Sequence, residues 1–217
     1  MRRHQQRVRR GHGELSRLVS ILEQAFYERD ALDVARDLLG KRLVRRGVEV
    51  VITEVEAYRF PGDTANHCRM GRTPRNAVMW GPPGHAYVYV CYGIHQMLNL
   101  VTNPEGEGAA VLIRACQPVR GLRTIQRRRG DKRGPVLLTG PGKVGAALGL
   151  DRAMNGHALY RPGGLEVHDG PAPPEILSGP RVGIDYASEA HRDAPWRLAA
   201  SGTPWVSKPA SLHRVGP

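Results

Sequence analysis

Acid, lysine, cysteine and long apolar runs are all scarce in this 217-residue chain. Only four of its 32 basic residues are lysines (Lys41, Lys132, Lys143 and Lys208), which leaves 28 arginines against 20 acids and a formal charge of +12. A surplus of that size says little about fold, but it concentrates polyanions around the molecule. Arginine's planar fork also suits bidentate contact with phosphate. An arginine-rich genome would give the same bias, so the chemistry has to be sought in motifs. The three cysteines, Cys68, Cys91 and Cys116, are odd in number and widely spaced, with no Cys-x-x-Cys and no paired histidines. That argues against a disulfide framework and against a structural zinc site. A bilayer span takes roughly 20 apolar residues, whereas the apolar runs here are as short as Ala109 to Ile113, so no transmembrane helix is expected.

What is present divides into an arm and a body. Residues 1–14 read as a disordered basic arm and 15–217 as one domain. Met1 to Gly13 carry five arginines and no acid, and no apolar stretch of a secretory signal follows. The expected location is cytoplasmic and nucleoid-associated, and a mitochondrial or nuclear targeting segment would look similar. Leu15, Leu18, Val19, Ile21 and Leu22 predict a first helix ending near Ala25, and Asp33 to Leu39 a second, stopped by Gly40. From Lys41 to Tyr58 the period changes to that of strands, as it does over Tyr87 to Cys91 and Ala109 to Ala115. Arg120 to Arg133, with seven basic residues and one acid, reads as a solvated loop or helix end facing phosphate. Val136 to Leu138 predict a short strand leading into a helix over Lys143 to Leu150. Pro162 to Pro180 is rich in proline and glycine, and the tail from Ser207 reads as loose.

Three constellations could carry chemistry. Strict alternation puts Val48, Val50, Ile52, Glu54, Glu56 and Tyr58 on one face of a strand, and a carboxylate among apolar groups and beside a second carboxylate is a candidate general base. Next comes a loop holding Asp63, Asn66 and His67, then Arg69, Arg72, Thr73, Pro74, Arg75 and Asn76, which would set acid/base groups beside phosphate contacts. Third is Tyr87-Val-Tyr-Val-Cys-Tyr-Gly93, where Tyr87 and Tyr89 share a face and Tyr92 falls at a glycine turn. Rings beside a basic surface can stack on bases or wedge between them.

Taken together, Ile52-Thr-Glu-Val-Glu-Ala-Tyr58, Asp63 to His67, Arg72-Thr-Pro-Arg-Asn76, Tyr87 to Gly93, Asn99 and Ala110-Val-Leu-Ile-Arg114 resemble the alkyladenine (3-methyladenine) DNA glycosylase family. The likeness continues through Thr139-Gly-Pro-Gly-Lys143, Arg181-Val-Gly-Ile184 and Gly202-Thr-Pro-Trp-Val206. It implies a mixed α+β fold, a single compact domain with a curved, largely antiparallel sheet flanked by helices. It also implies a monomer that acts on double-stranded DNA containing damaged purines, without cofactor, metal or membrane.

Carried over by position, the resemblance makes Glu56 the group that activates the attacking water and Arg114 an arginine near that water and the target phosphate. Tyr58, His67, Tyr89, Asn99 and Leu112 enclose the extruded base, Asn99 disfavouring guanine's amino group. Tyr92 fills the gap left in the duplex, and Thr73, Arg75 and Lys143 contact the backbone. None of the four lysines falls within the strand and loop motifs, so no Schiff-base chemistry is expected and the abasic site should stay intact.

Two other readings compete: a non-enzymatic basic nucleic-acid-binding module, and a metal-dependent nuclease with Glu54, Glu56 and Asp63 as oxygen ligands. Gly140-Pro-Gly-Lys-Val-Gly145 also matches the dinucleotide fingerprint formally, but the stretch after it is broken by Pro162, Gly163 and Gly164, against the strand, helix and strand that the fingerprint needs.

Overall fold

A computed structural model describes residues 20–214 of the chain. Among them, four helices lie against an open sheet of nine strands in which every pairing is antiparallel. The basic arm predicted for residues 1–14 lies outside the described residues, as does the start of the first predicted helix. The part of that helix within view is not α-helical: Ile21 forms an isolated bridge to His168, and a single 3₁₀ turn spans Gln24–Phe26.

Helix α1 (Ala31–Leu38) starts earlier than predicted because the Asp30 side chain accepts from the Leu32 N–H at 2.9 Å and caps it. Its buried residues, Ala31, Val34, Ala35 and Leu38, recur at the spacing of one helical face. Strands β1 (Arg42–Arg45) and β2 (Val48–Tyr58) form a hairpin. Two more, β3 (Ala86–Cys91) and β4 (His95–Val101), form another, and β5 (Ala110–Arg120) runs along β2 for most of its length. β4 escapes sequence reading because His95-Gln-Met-Leu-Asn-Leu-Val101 does not alternate cleanly. After α2 (Leu122–Arg128), the predicted strand at Val136 to Leu138 is instead a 3₁₀ turn, Pro135–Leu137, opened by a proline that cannot donate to a ladder. α3 (Pro141–Leu148) follows. The Pro/Gly-rich stretch holds short strands β6 (Glu166–His168) and β7 (Ile176–Gly179), and α4 (Glu189–Asp193), β8 (Arg197–Ala200) and β9 (His213–Arg214) complete the described chain.

The spatial order β3-β4-β5-β2-β8-β7-β9 makes β2 a central strand, with one edge shared between two neighbours. Residues 48–51 pair with β1, and residues 54–56 pair with β8. The change of partner coincides with register shifts between Ile52 and Glu54 and between Glu54 and Val55. This break corrects the strict alternation expected from sequence. Val48, Val50 and Ile52 enter the main core, but so do Val55 and Ala57, whose numbers are odd. Glu54, Glu56 and Tyr58 therefore face away from the core that receives Val48, Val50 and Ile52. One extra residue inserted in a ladder inverts everything beyond it.

On the core face, α3 docks across β4 with no space between backbones. A Cβ on Gly145 would stand 2.0 Å from the Gln96 carbonyl oxygen, and one on Gly142 would stand 2.8 Å from the His95 ring. The second and third glycines of the formal dinucleotide motif thus serve helix-to-strand packing. Arg45 and Arg128 donate to the carbonyls of Leu148, Gly149 and Ala147, placing cations at the negative end of α3. No helix among the described residues is long and apolar enough to cross a membrane.

Candidate active site

On the other side of β2, a cavity of about 450 Å³ opens between strand ends and loops. Tyr58 comes from the end of β2, Tyr87 and Tyr89 from β3, Asn99 from β4, and Leu112 and Arg114 from β5, while His67 and the segment Val182 to Tyr186 close it from loops. Eight of the site residues expected from sequence (Tyr58, His67, Arg75, Tyr89, Tyr92, Asn99, Leu112 and Arg114) are thereby brought to one chamber. Glu56 is fully buried and does not line the cavity; it sits directly behind the wall.

The Glu56 carboxylate is held on every side. Its Oε1 accepts from the Val182 N–H at 2.7 Å and faces Arg114 Nη1 at 3.2 Å, and its Oε2 accepts from the Tyr58 hydroxyl at 3.0 Å. Burial, then the charge of Glu56, pushes the Tyr58 phenol well above its ordinary range, so it donates as a neutral hydroxyl. Burial alone would pull the Arg114 guanidinium down, but Glu56 and Glu54 outweigh it and raise the group.

Two more buried arginines complete the cluster. Arg181 grips both oxygens of Asp63 at 2.6 and 2.8 Å, and its guanidinium lies 4.7 Å from the centre of the Tyr58 ring. Arg197 Nη1 donates to Glu54 at 3.0 Å. Three carboxylates thus face three guanidiniums in a formally neutral buried set, in which removal of any one partner would strand a charge.

The rings of the aromatic wall are uncharged. Tyr87 and Tyr89 lie with ring centres 5.5 Å apart, and His67 meets Tyr89 edge-on at 4.7 Å. His67 Nδ1 lies 3.1 Å from the Tyr87 hydroxyl. Burial, reinforced by Arg75 and Arg69, lowers the His67 pKa, so the ring is neutral at neutral pH. Burial pushes the Tyr87 phenol up to about 12 and raises Tyr89 as well. Asn99 is nearly buried and spends its amide N–H groups on the Tyr87 and Met97 carbonyls at 3.1 and 3.4 Å.

The loop carrying His67 is fixed by two buried asparagines. Asn66 donates to the Arg59 and Gly108 carbonyls, and Asn76 donates to the His67 and Gly71 carbonyls while accepting from the Thr73 N–H. Thr73 and Arg75 are exposed on this loop, and Arg75 also reaches the cavity lining. Lys143 lies in the first turn of α3, two residues after Pro141, which lines the cavity; partial burial, then Arg129 and Lys132, lowers its pKa. Tyr92 tips the β3–β4 hairpin, 90% exposed at φ +52°, and Gly93 follows at φ +72°. Two consecutive positive φ values are the geometry of tight hairpin turns, which glycine adopts freely and tyrosine does not.

Trp80, His95 and Gln96, which the motifs left without a role, belong to the scaffold. Trp80 packs edge-on to Phe60 at 5.0 Å, and the other two receive α3. Sequence reading missed Arg181, Arg197, Tyr186 and Ser207 as members of the site. Nothing in the local pattern marks a buried arginine, since its partner lies over a hundred positions away. The tail read as loose is instead tied down: Ser207 donates to Glu54 through its N–H at 2.6 Å and its hydroxyl at 2.8 Å. The nuclease triad also fails to assemble. Glu54, Glu56 and Asp63 each turn to arginines, and among the described residues no three His, Cys, Asp or Glu side chains gather as a metal would need.

The sequence model of the family described as Methylpurine-DNA glycosylase (MPG) matches residues 25–204. A protein of Nitrosococcus oceani, provisionally named 3-methyladenine DNA glycosylase, is 64% identical over 196 residues, which is 90% of this chain and 98% of the relative. One from Arabidopsis thaliana, named DNA-3-methyladenine glycosylase, is 57% identical over 193 residues, covering 88% of this chain and 76% of its own. A Methanocella arvoryzae relative with the same provisional name as the first is 47% identical over 197 residues, covering 88% and 97%.

Proposed function

The chain belongs to the methylpurine-DNA glycosylase family and is a DNA glycosylase, a hydrolase of DNA repair, and from that premise we propose its substrate and mechanism. It extrudes an alkylated or deaminated purine (3-methyladenine, 7-methylguanine or hypoxanthine) from duplex DNA into the aromatic cavity and hydrolyses the N-glycosidic bond. A stacked base cannot be attacked, so extrusion comes first, with unstacking at a cost of a few kcal/mol. Tyr92, exposed at its hairpin tip, is the side chain that fills the gap. Thr73, Arg75 and Lys143 hold backbone phosphates.

The observation that carries this reading is the pairing of a chamber walled by uncharged rings with a buried carboxylate immediately behind it, bonded to the lining residues Arg114 and Tyr58. A cationic methylpurine gains about 0.5 to 2 kcal/mol from rings such as Tyr58 and Tyr89, and neutral His67 offers a hydrogen bond without repelling the positive charge. Asn99 and Leu112 shape the remaining wall, Asn99 against guanine's exocyclic amine. Larger discrimination comes from the leaving group, because an alkylated purine departs as a neutral base, taking the glycosidic electron pair with it. The sugar left behind has oxocarbenium character. Glu56 stabilises that charge and accepts the proton of the water that attacks the anomeric carbon, while Arg114 orients the water and the target phosphate.

A lyase would need an amine for a Schiff base, and no lysine lines the cavity. The enzyme is therefore proposed to be monofunctional and to leave the abasic strand unbroken. We further propose that it works as a monomer in the cytoplasm, on nucleoid DNA.

Incubation with duplexes carrying hypoxanthine or 7-methylguanine, in EDTA, tests the reading. Free base should appear, and strands should break only after alkali. Metal-dependent nicking without free base would overturn it. Glu56→Gln should abolish release and keep duplex binding; normal turnover would remove Glu56 from its role.

A further inference from the structure

Glu54 is as buried as Glu56, lies two positions before it on the same strand and has no part in the mechanism above. Its Oε1 accepts from Arg114 Nε at 3.2 Å, from Arg197 Nη1 at 3.0 Å and from the Ser207 hydroxyl at 2.8 Å, and its Oε2 accepts from the Ser207 N–H at 2.6 Å. Each nitrogen of the Arg114 guanidinium therefore has its own partner: Nε has Glu54, Nη2 has the Ser207 hydroxyl at 3.3 Å, and Nη1 has Glu56 at 3.2 Å. A planar group fixed at three corners by three separate residues can neither rotate nor slide along its stem.

We propose that Glu54, completed by Ser207, is a positioning residue for glycosidic hydrolysis: it sets the plane of the Arg114 guanidinium between Glu56 and the cavity. The proposal rests on the reading of Glu56 and Arg114 given above. The two buried carboxylates divide one arginine between them. Glu54 takes the end nearest the backbone, leaving Glu56 a single contact at the tip instead of a closed two-pronged pair. Without Glu54 and Ser207 the guanidinium would be free to close fully on Glu56, engaging the carboxylate that has to accept a proton from water.

Single-turnover excision from a hypoxanthine or 7-methylguanine duplex, whichever the wild type cleaves faster, tests this with the full chain. Ser207→Ala removes the hydroxyl and keeps the N–H contact. It should slow excision about tenfold, the effect of one hydrogen bond to a charged group. Affinity for a duplex with a tetrahydrofuran abasic analogue should not change. Ser207→Thr should restore the rate, and in an Arg114→Ala background Ser207→Ala should cause no further loss. Glu54→Gln should slow excision about a hundredfold, as small misplacement of a reacting group does.

Wild-type rates in Ser207→Ala, or the same tenfold loss with and without Arg114, would overturn the proposal, as would a fall in melting temperature or affinity with the rate untouched. Should Glu54→Gln fail to fold, the Ser207 series decides alone. Failure of the underlying reading has a separate signature: Glu56→Gln would then turn over normally, whatever Ser207→Ala does.

Discussion

His67 and Tyr92 each carry a stability cost that can be measured. His67 is held neutral by burial and by Arg75 and Arg69. Its folded pKa lies below the unfolded value of about 6.5, so as pH drops through 6.5 the unfolded chain takes up a proton that the folded chain resists. Folding is weakened on the acid side, with the loss growing until the folded ring itself protonates. Denaturant titrations between pH 7.5 and 5 should therefore show a steeper decline for wild type than for His67→Gln. Equal slopes would mean that the ring is not held neutral. Tyr92 carries a different strain, a bulky side chain at φ +52°. Tyr92→Gly should raise stability by about 1 kcal/mol, since glycine enters that region freely. Excision from duplex DNA should fall by at least tenfold if the ring supports base extrusion, an energy of about 1.4 kcal/mol or more. Chemical denaturation and single-turnover kinetics on the same preparation separate the two effects.

At the scale of elements, Gly145 is the position where one atom decides the packing. A methyl group there would meet the Gln96 carbonyl at 2.0 Å, and neither backbone can yield without parting α3 from β4. Gly145→Ala should lose about 1 to 3 kcal/mol in a denaturant titration, the usual penalty of overpacking. An unchanged midpoint would contradict the close approach. The same scale explains what was legible in the chain. β2, β3 and most of β5 could be read because valine-rich alternation is a local signal. β4 could not, since its polar and apolar residues do not alternate and its place is set by β3 and β5 on either side. The break at Thr53 was invisible for a related reason: alternation reports parity only while the ladder is regular, and the shift arises where β1 hands over to β8 as the neighbour of β2. The residues of the cavity wall were legible through clustered motifs. Their supports were not, because Arg181 reaches Asp63 across 118 positions and Arg197 reaches Glu54 across 143.

For the molecule as a whole, the charge of +12 resolves into two populations. Arg45, Arg181 and Arg197 are buried and spent on carboxylates, carbonyls and a hydroxyl. On the proposed reading, the cations that meet phosphate are those at or beside the cavity, Arg75 and Lys143 among them. Duplex affinity should fall log-linearly with salt, and Arg75→Ala or Lys143→Ala should each reduce the slope by about one. A slope unaltered by either change would remove that residue from the backbone contacts.

The Ser207 contact has a consequence in time as well as space. Glu54 leaves the ribosome 153 residues ahead of the serine that holds it, and Arg114 leaves 93 ahead, so the acid, the arginine and the β2–β5 ladder can be present while the site is still open at one side. The carboxylate is therefore held only once the chain has been made past Ser207, and a product released before that point would carry the aromatic chamber without the contacts that tie Glu54 and Arg114 together.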